Sequence, residues 1–167
     1  MARAVRLSAR PATLADAAWL LRLRNDPATI AASRGQRAVE GWEHTVWLKG
    51  CLQDNARALM VVVRRGRRVG IYRLDGLGSA EVELSLTVAP EWRGRGFARL
   101  IVALAMRHAR QHGYAGSTVR ALVRAENAPS LIAFLHNGFV PTGFFDGLVR
   151  MRAGTEGRTR RPSVAVG

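Results

Sequence analysis

The segment from Val88 to Leu100, VAPEWRGRGFARL, limits what this chain can fold into more than any other stretch. Upstream of it, Val82, Leu84, Leu86 and Val88 alternate with Glu81, Glu83, Ser85 and Thr87, the two-residue period of a half-buried strand. Downstream, Leu100, Ile101, Val102, Leu104 and Ala105 stripe a run free of glycine, which predicts a helix that begins near Gly96 or Phe97 and closes around His112-Gly113. The first N–H groups of that helix have no intrahelical partner and lie at the positive end of its dipole. A strand, a glycine-rich turn and a helix in this order build an anion site, and glycine lets the backbone approach a phosphate closely. Two known phosphate loops do not fit. No Gly-Lys-Ser or Gly-Lys-Thr is present for a P-loop, and Gly94 with Gly96 lacks the third glycine of a dinucleotide fingerprint.

The remaining pattern predicts one α/β domain. Ala4 to Ala9 alternates as a first strand, and Thr13-Leu14-Ala15-Asp16 reads as a capping box that opens a helix to about Arg24. Asn25-Asp26-Pro27 stops that helix, because proline disfavours helical backbone in the residue before it. Residues 28–37 read as a loop or short helix beside a ligand mouth, and Val39 to Asp54 as a second helix. Ala58 to Val63 is an apolar run suited to a central strand; Arg64 to Arg68 turns into a third strand, Val69 to Leu74. A fifth strand is predicted over Thr118 to Arg124, a short helix over Asn127 to Asn137 ended by Gly138, and a last hairpin over Phe139 to Phe145 and Leu148 to Arg152. From Ala153 the composition shifts to Gly, Thr, Arg and Pro. The predicted organisation is therefore a single domain over residues 1–153 and a disordered basic tail over residues 154–167.

Charge narrows the ligand class. The chain of 167 residues carries a net charge of +14, and of its 26 basic side chains only Lys49 is lysine. Such a field attracts anions in general. The arginines are scattered through every segment instead of massed on one helix, so nucleic acid is set aside as the main ligand in favour of anionic small molecules. The single cysteine, Cys51, excludes an internal disulfide, and no apolar run approaches the ~20 residues of a membrane span. The opening residues lack an apolar secretory region, so a cytoplasmic protein is expected. No His, Cys or carboxylate spacing suggests a metal site.

Arg93-Gly94-Arg95-Gly96-Phe97-Ala98, entered from a strand through Val88-Ala89-Pro90, resembles the Arg/Gln-x-x-Gly-x-Gly/Ala loop of the GNAT acetyltransferase superfamily. Asn127-x-x-Ser130 and Phe134-x-x-x-Gly138-Phe139 resemble that superfamily's Asn-x-x-Ser/Ala and Tyr-x-x-x-Gly-Phe elements. The resemblance spans essentially the whole chain. It implies the GNAT fold, a mixed and mostly antiparallel sheet of six to seven strands flanked by about four helices.

It also implies acetyl transfer from acetyl-CoA to an amine in one direct step. Arg93, Gly94, Arg95, Gly96, Phe97 and Ala98 would hold the pyrophosphate, with the N–H groups of Arg95, Gly96 and Ala98 as donors. Around Leu86 to Val88 the fourth strand would splay from the fifth and offer backbone groups to the pantetheine arm and the thioester carbonyl. Asn127 and Ser130 would hold the arm from the other side, although both residue types also cap helices. Phe134 departs from the pattern: the superfamily often places there a tyrosine that protonates the leaving thiolate, and phenylalanine has no proton to give. Phe134 is then a packing residue beside the arm. Glu83 is the first candidate for the base that deprotonates the amine, with a salt-bridged strand carboxylate as its alternative; His44 is the second. His108, His112 and His136 read as surface residues.

Leu23-Arg24-Asn25-Asp26-Pro27 followed by Glu43-His44-x-x-Trp47-Leu48 is similar to the acetyltransferases that modify UDP-linked amino sugars in pseudaminic acid and surface-polysaccharide biosynthesis. That similarity implies Arg24, Asn25 and Trp47 as acceptor-binding residues, with Trp42 or Trp47 stacked on the uracil or sugar. Protein N-termini of the ribosomal kind, aminoglycosides and other small amines are the alternative acceptors. A non-catalytic acyl-CoA or nucleic-acid binding module is a third reading, resting on Phe134 and the high charge. Edge strands in the last hairpin make a homodimer plausible.

Overall fold

Two tight hairpins set the registers of the sheet. In the computed structural model, which describes residues 6–112 and 118–155, β2 (Arg57–Arg64) turns into β3 (Arg67–Asp75) through Arg65 at φ 47° and Gly66 at φ 78°. Two successive positive φ angles give the turn whose twist matches antiparallel strands. Asp146 at φ 49° and Gly147 at φ 69° do the same between β6 (Val140–Phe145) and β7 (Leu148–Gly154). With β1 (Ser8–Pro11), β4 (Glu81–Val88) and β5 (Thr118–Arg124) these form one seven-stranded sheet in the order β1-β2-β3-β4-β5-β7-β6. Among the described residues only the β4–β5 pair is parallel.

Among the described residues five α-helices flank the sheet, together with 3-10 turns at Leu14–Asp16 and Pro90–Trp92. They are α1 (Ala17–Arg24), α2 (Pro27–Ala32), α3 (Gly41–Gln53), α4 (Phe97–Gln111) and α5 (Ala128–His136). Helix α4 lies on one face, where Ile101, Val102, Ala105 and Met106 pack with Tyr72, Leu74, Val82 and Leu84. Helices α1 and α3 cover the other face, with Leu20, Leu48 and Cys51 against Leu59 and Val61. Gly70 permits the close approach of β3, β4 and α4: a Cβ there would collide with the Thr87 carbonyl oxygen and lie 3.1 Å from Ile101 Cδ1. The prediction of an α/β sheet of six to seven strands is met at seven, with a fifth helix beyond the expected four.

Several boundaries differ from the expectation. The first strand runs over Ser8–Pro11 rather than from Ala4, because Ser8 to Pro11 pair with Val63 to Met60; positions 4 and 5 lie outside the described residues. Of the loop or short helix expected over residues 28–37, the structure has a short helix, α2, which starts with Pro27 at its first position and with the Asp26 carboxylate accepting from Thr29 N–H at 3.1 Å. The last strand extends past Arg152, since Ala153 and Gly154 pair with Val119 and Thr118. Thr155 is buried, and its carbonyl accepts from Arg110 Nε at 2.9 Å. The expected disordered tail otherwise lies outside the described residues. His108 is half-buried and not a surface residue, with its Nδ1 2.7 Å from the hydroxyl of the buried Tyr72.

Asp16, read from the sequence as a helix cap, does more than cap. It is 1% exposed, accepts from Thr13 N–H at 3.0 Å, and meets Arg10 at 2.8 Å and Arg68 at 3.0 Å. The hydrogen bond from Arg10 leads the effects that hold its carboxyl down at about 2. Among the described residues no helix is long and apolar enough to cross a membrane.

Candidate active site

The site begins where two strands part. β4 and β5 pair only at Glu81–Thr118, Val82–Val119 and Glu83–Arg120; beyond Glu83 the strands diverge. A cleft of about 1690 Å³ opens there, lined on one side by Leu84 to Val88 and on the other by Leu122 to Arg124. The resemblance implies a splay at Leu86 to Val88; the last pair of the ladder, Glu83–Arg120, lies three residues before that. The Val88 carbonyl is already engaged, accepting from Arg93 Nε at 3.1 Å.

At one end of the cleft the chain turns into α4. Gly94 has φ 70° and Gly96, the residue before the helix, φ 77°; both are in the left-handed region that glycine adopts at little cost. A Cβ at either glycine would meet nothing within 4 Å, so backbone conformation and not crowding explains them. Gly94, Arg95, Gly96, Phe97 and Ala98 all line the cleft, with the N-terminus of the 15-residue α4 directed at it. Arg95 lies over the Trp92 ring at 5.9 Å. Arg93 is committed elsewhere: its Nη2 sits 2.7 Å from Asp26 Oδ2 and 3.1 Å from Thr29 Oγ1. Arg93, which is expected among the pyrophosphate-binding residues and does line the cleft, thus also braces the loop against α2.

Across the cleft stands α5. Asn127 Oδ1 accepts from Ser130 N–H at 3.3 Å, so Asn127 caps the helix while lining the cleft. Phe134 is 2% exposed and packs edge-on to Phe139 at 4.9 Å, as a packing residue would.

The other end of the cleft lies on the opposite sheet face. Ile71 and Arg73 of β3 face the same way as Thr87 and Ser85 of β4, their register partners, and Glu83 continues that row. Above them sit Arg24 of α1, Ser33, Arg34 and Arg37, and His44 and Trp47 of α3. Glu83 has both oxygens engaged, one by Arg34 Nη2 and the other by Arg120 Nε at 3.1 Å and Nη2 at 3.0 Å. His44 is 4% exposed, and its ring lies 5.4 Å from that of Trp47. Burial first, then the nearby charge of Arg24, lowers His44 from its ordinary value, so at neutral pH it is an uncharged imidazole.

Asn25 does not belong to this group. Its amide donates to Val39 O at 2.8 Å and its Oδ1 accepts from Val39 N–H at 2.8 Å, which clips the end of α1 to the segment before α3. Asn25 is not among the residues lining the cleft. Trp42 is 71% exposed and also lies outside it. Sequence reasoning missed Arg73, Arg120 and Arg124. Arg73 could have been found from the β3–β4 register; Arg124, which donates to Arg34 O across 90 positions at 2.8 Å, could not. Among the described residues no group of three or more His, Cys, Asp or Glu side chains converges as a metal site.

Residues 6–140 match the family described as Acetyltransferase (GNAT) domain. Among curated proteins no sequence matches significantly. A domain from Methanocaldococcus jannaschii has the same fold with a TM-score of 0.79 at 19% identity, covering 89% of this chain and 97% of that one. Spermidine N-acetyltransferase from Vibrio cholerae, in complex with CoA and spermine, is similar with a TM-score of 0.77 at 21% identity over 88% of this chain and 94% of that one. The protein yncA from Salmonella typhimurium, with its cofactor acetyl-CoA, gives 0.72 at 22% identity over 92% and 96%. At these identities the likeness is one of fold.

Proposed function

Because the chain belongs to the GNAT acetyltransferase family, we propose that the cleft between β4 and β5 brings acetyl-CoA to the primary amine of a small acceptor, which it N-acetylates. The observation that carries this reading is the end of the β4–β5 ladder at Glu83, joined to a glycine loop at the start of α4. On its β5 side the run from Leu84 to Val88 is unpaired and supplies backbone groups for the pantetheine arm, and the N–H groups from Arg95 to Ala98 suit its pyrophosphate. Family membership makes the protein an enzyme rather than a binding module.

Acetyl-CoA supplies an acetyl group activated as a thioester. The protein's own residues orient the amine and take its proton. His44 is the proton acceptor in this reading: it is uncharged at neutral pH and lines the acceptor end. Glu83, held between Arg34 and Arg120, fixes the acceptor rather than acting as a free base. Phe134 keeps the arm's surroundings apolar, and the leaving thiolate, with a conjugate-acid pKa near ~8.5, takes its proton from solvent.

For the acceptor, the basic lining from Arg24, Arg34, Arg37 and Arg73 supports an anion-bearing amine such as a nucleotide-linked amino sugar, with Trp47 as its stacking surface. A polyamine, the ligand of the similar Vibrio cholerae structure, would meet these same guanidinium groups. The edge strand β6, with Val140, Phe144 and Phe145 exposed, supports self-association. Thiol release from acetyl-CoA across a panel of UDP-linked amino sugars, peptides, aminoglycosides and polyamines tests the reading. Release with an amine present and none without it is the expected result; no release with any amine would sink it.

A further inference from the structure

Most arginines at the acceptor end of the cleft are already satisfied. Arg34 meets Glu83, Arg37 meets Glu43 at 2.9 Å, and Arg73 meets Asp75 at 2.7 Å. Arg124 donates through Nη1 to the carbonyl of Asp146 at 2.9 Å and through Nη2 to that of Arg34 at 2.8 Å, although its Nε is buried without a partner. Arg24 differs in degree. Among the described residues its guanidinium forms neither an ion pair nor a hydrogen bond, and its Nη1 is buried. A buried donor without a partner is destabilising, and more so when it is charged. Nor is the charge relieved by its neighbours. Arg37 is close enough to oppose it and His44 is uncharged; burial first, and Arg37 second, lower Arg24 from the ordinary arginine value.

We propose that Arg24 is the specificity residue for the acceptor, its guanidinium pairing with a phosphate or carboxylate carried by the amine. The proposal rests on the acetyltransferase reading above and assigns the choice of an anion-bearing amine to one residue. A planar guanidinium with an unused N–H fits either anion in the same fork geometry. A cation placed against Arg24 is disfavoured by that residue's unpaired charge. An anion on Arg24 would hold the acceptor against the wall formed by His44 and Trp47, the same wall that lines the cleft opposite Ser85 and Thr87.

Matched acceptors separate the two anion sources: a UDP-linked amino sugar against the free amino sugar, and an amino acid against its amide, with spermidine as the polycation. Steady-state thiol release should show wild-type kcat/KM about 10-fold or more higher for at least one charged member over its neutral partner, and lowest values for spermidine. Arg24→Gln should raise KM for that charged acceptor about 10–100-fold and raise KM for its neutral partner far less, while loss of the Arg24 charge moves the acid limb set by His44 upward for both acceptors alike. Its Tm without ligand should be equal to or above that of the wild type, because a half-buried charge with no partner is removed. Should Arg24→Gln fail to fold, the wild-type comparison of charged and neutral partners decides alone. Equal turnover of both partners, or preference for spermidine, overturns the Arg24 assignment and leaves acetyl transfer standing; no thiol release with any amine overturns both.

Discussion

Arg93 Nη2 and Asp26 Oδ2 lie 2.7 Å apart, joining the loop that starts α4 to the residue that caps α2. Burial pushes Asp26 up, but the hydrogen bonds from Arg93 and Thr29 outweigh it, and its carboxyl ends below the usual value. One guanidinium thus spans from the Val88 carbonyl to the cap of a helix on the acceptor side.

Breaking that brace should be felt by both substrates. Arg93→Ala loses a charge-assisted contact of about 1–2 kcal/mol, and KM for acetyl-CoA and for the acceptor should each rise about 5–30-fold. Steady-state kinetics with each substrate varied in turn measures this. A rise confined to acetyl-CoA would return Arg93 to a direct phosphate role.

The proton acceptor can be read from the pH dependence of kcat/KM. Burial lowers His44, so the acid limb should fall below the unperturbed imidazole value of ~6.5, with activity lost as pH drops through it. His44→Asn should remove that limb and lower kcat about 100-fold or more. Glu83→Gln should instead raise KM for the acceptor and keep the limb. The reverse pattern would restore Glu83 as the base.

Asp16 makes a prediction about stability, not catalysis. Its carboxyl titrates at about 2 in the fold against an ordinary value of 3.8, a depression that adds stability above the unfolded value and is lost as pH falls from about 4 toward 2. The shift corresponds to about 2 kcal/mol. Asp16→Asn should lose roughly that amount at pH 7 in urea denaturation, and the mutant's stability should vary less with pH between 4 and 2. An unchanged acid dependence would show that the Arg10 and Arg68 contacts stabilise nothing.

Local signals made much of the fold legible. β4 and β5 fall at their predicted limits because alternation with β-branched residues is a strong local pattern, and α4 starts at Phe97 because Gly96 can adopt the left-handed turn. Helix α2 was only half visible, since Pro27 and Asp26 signal a start while Ala28, Ala31 and Ala32 give no stripe. In the site, the loop from Gly94 to Ala98 could be read, because its conformation is written in its glycines. The partners of Asn25, Arg93 and Glu83 could not: the Arg34–Glu83 contact joins positions 49 apart, and no short window of sequence holds both ends. Arginine in abundance compounds this, because composition alone does not say which guanidinium remains unpaired.

The most direct measurement follows the acetyl group itself. The protein is incubated with acetyl-CoA labelled at the acetyl carbonyl and a mixture of UDP-linked amino sugars, amino acids and polyamines, and the products are separated by mass spectrometry. Label on the amine nitrogen of an anion-bearing acceptor, with one thiol released per acetyl transferred, is the expected result. Label only in free acetate, or no label moved from acetyl-CoA at all, would contradict N-acetyl transfer in the β4–β5 cleft.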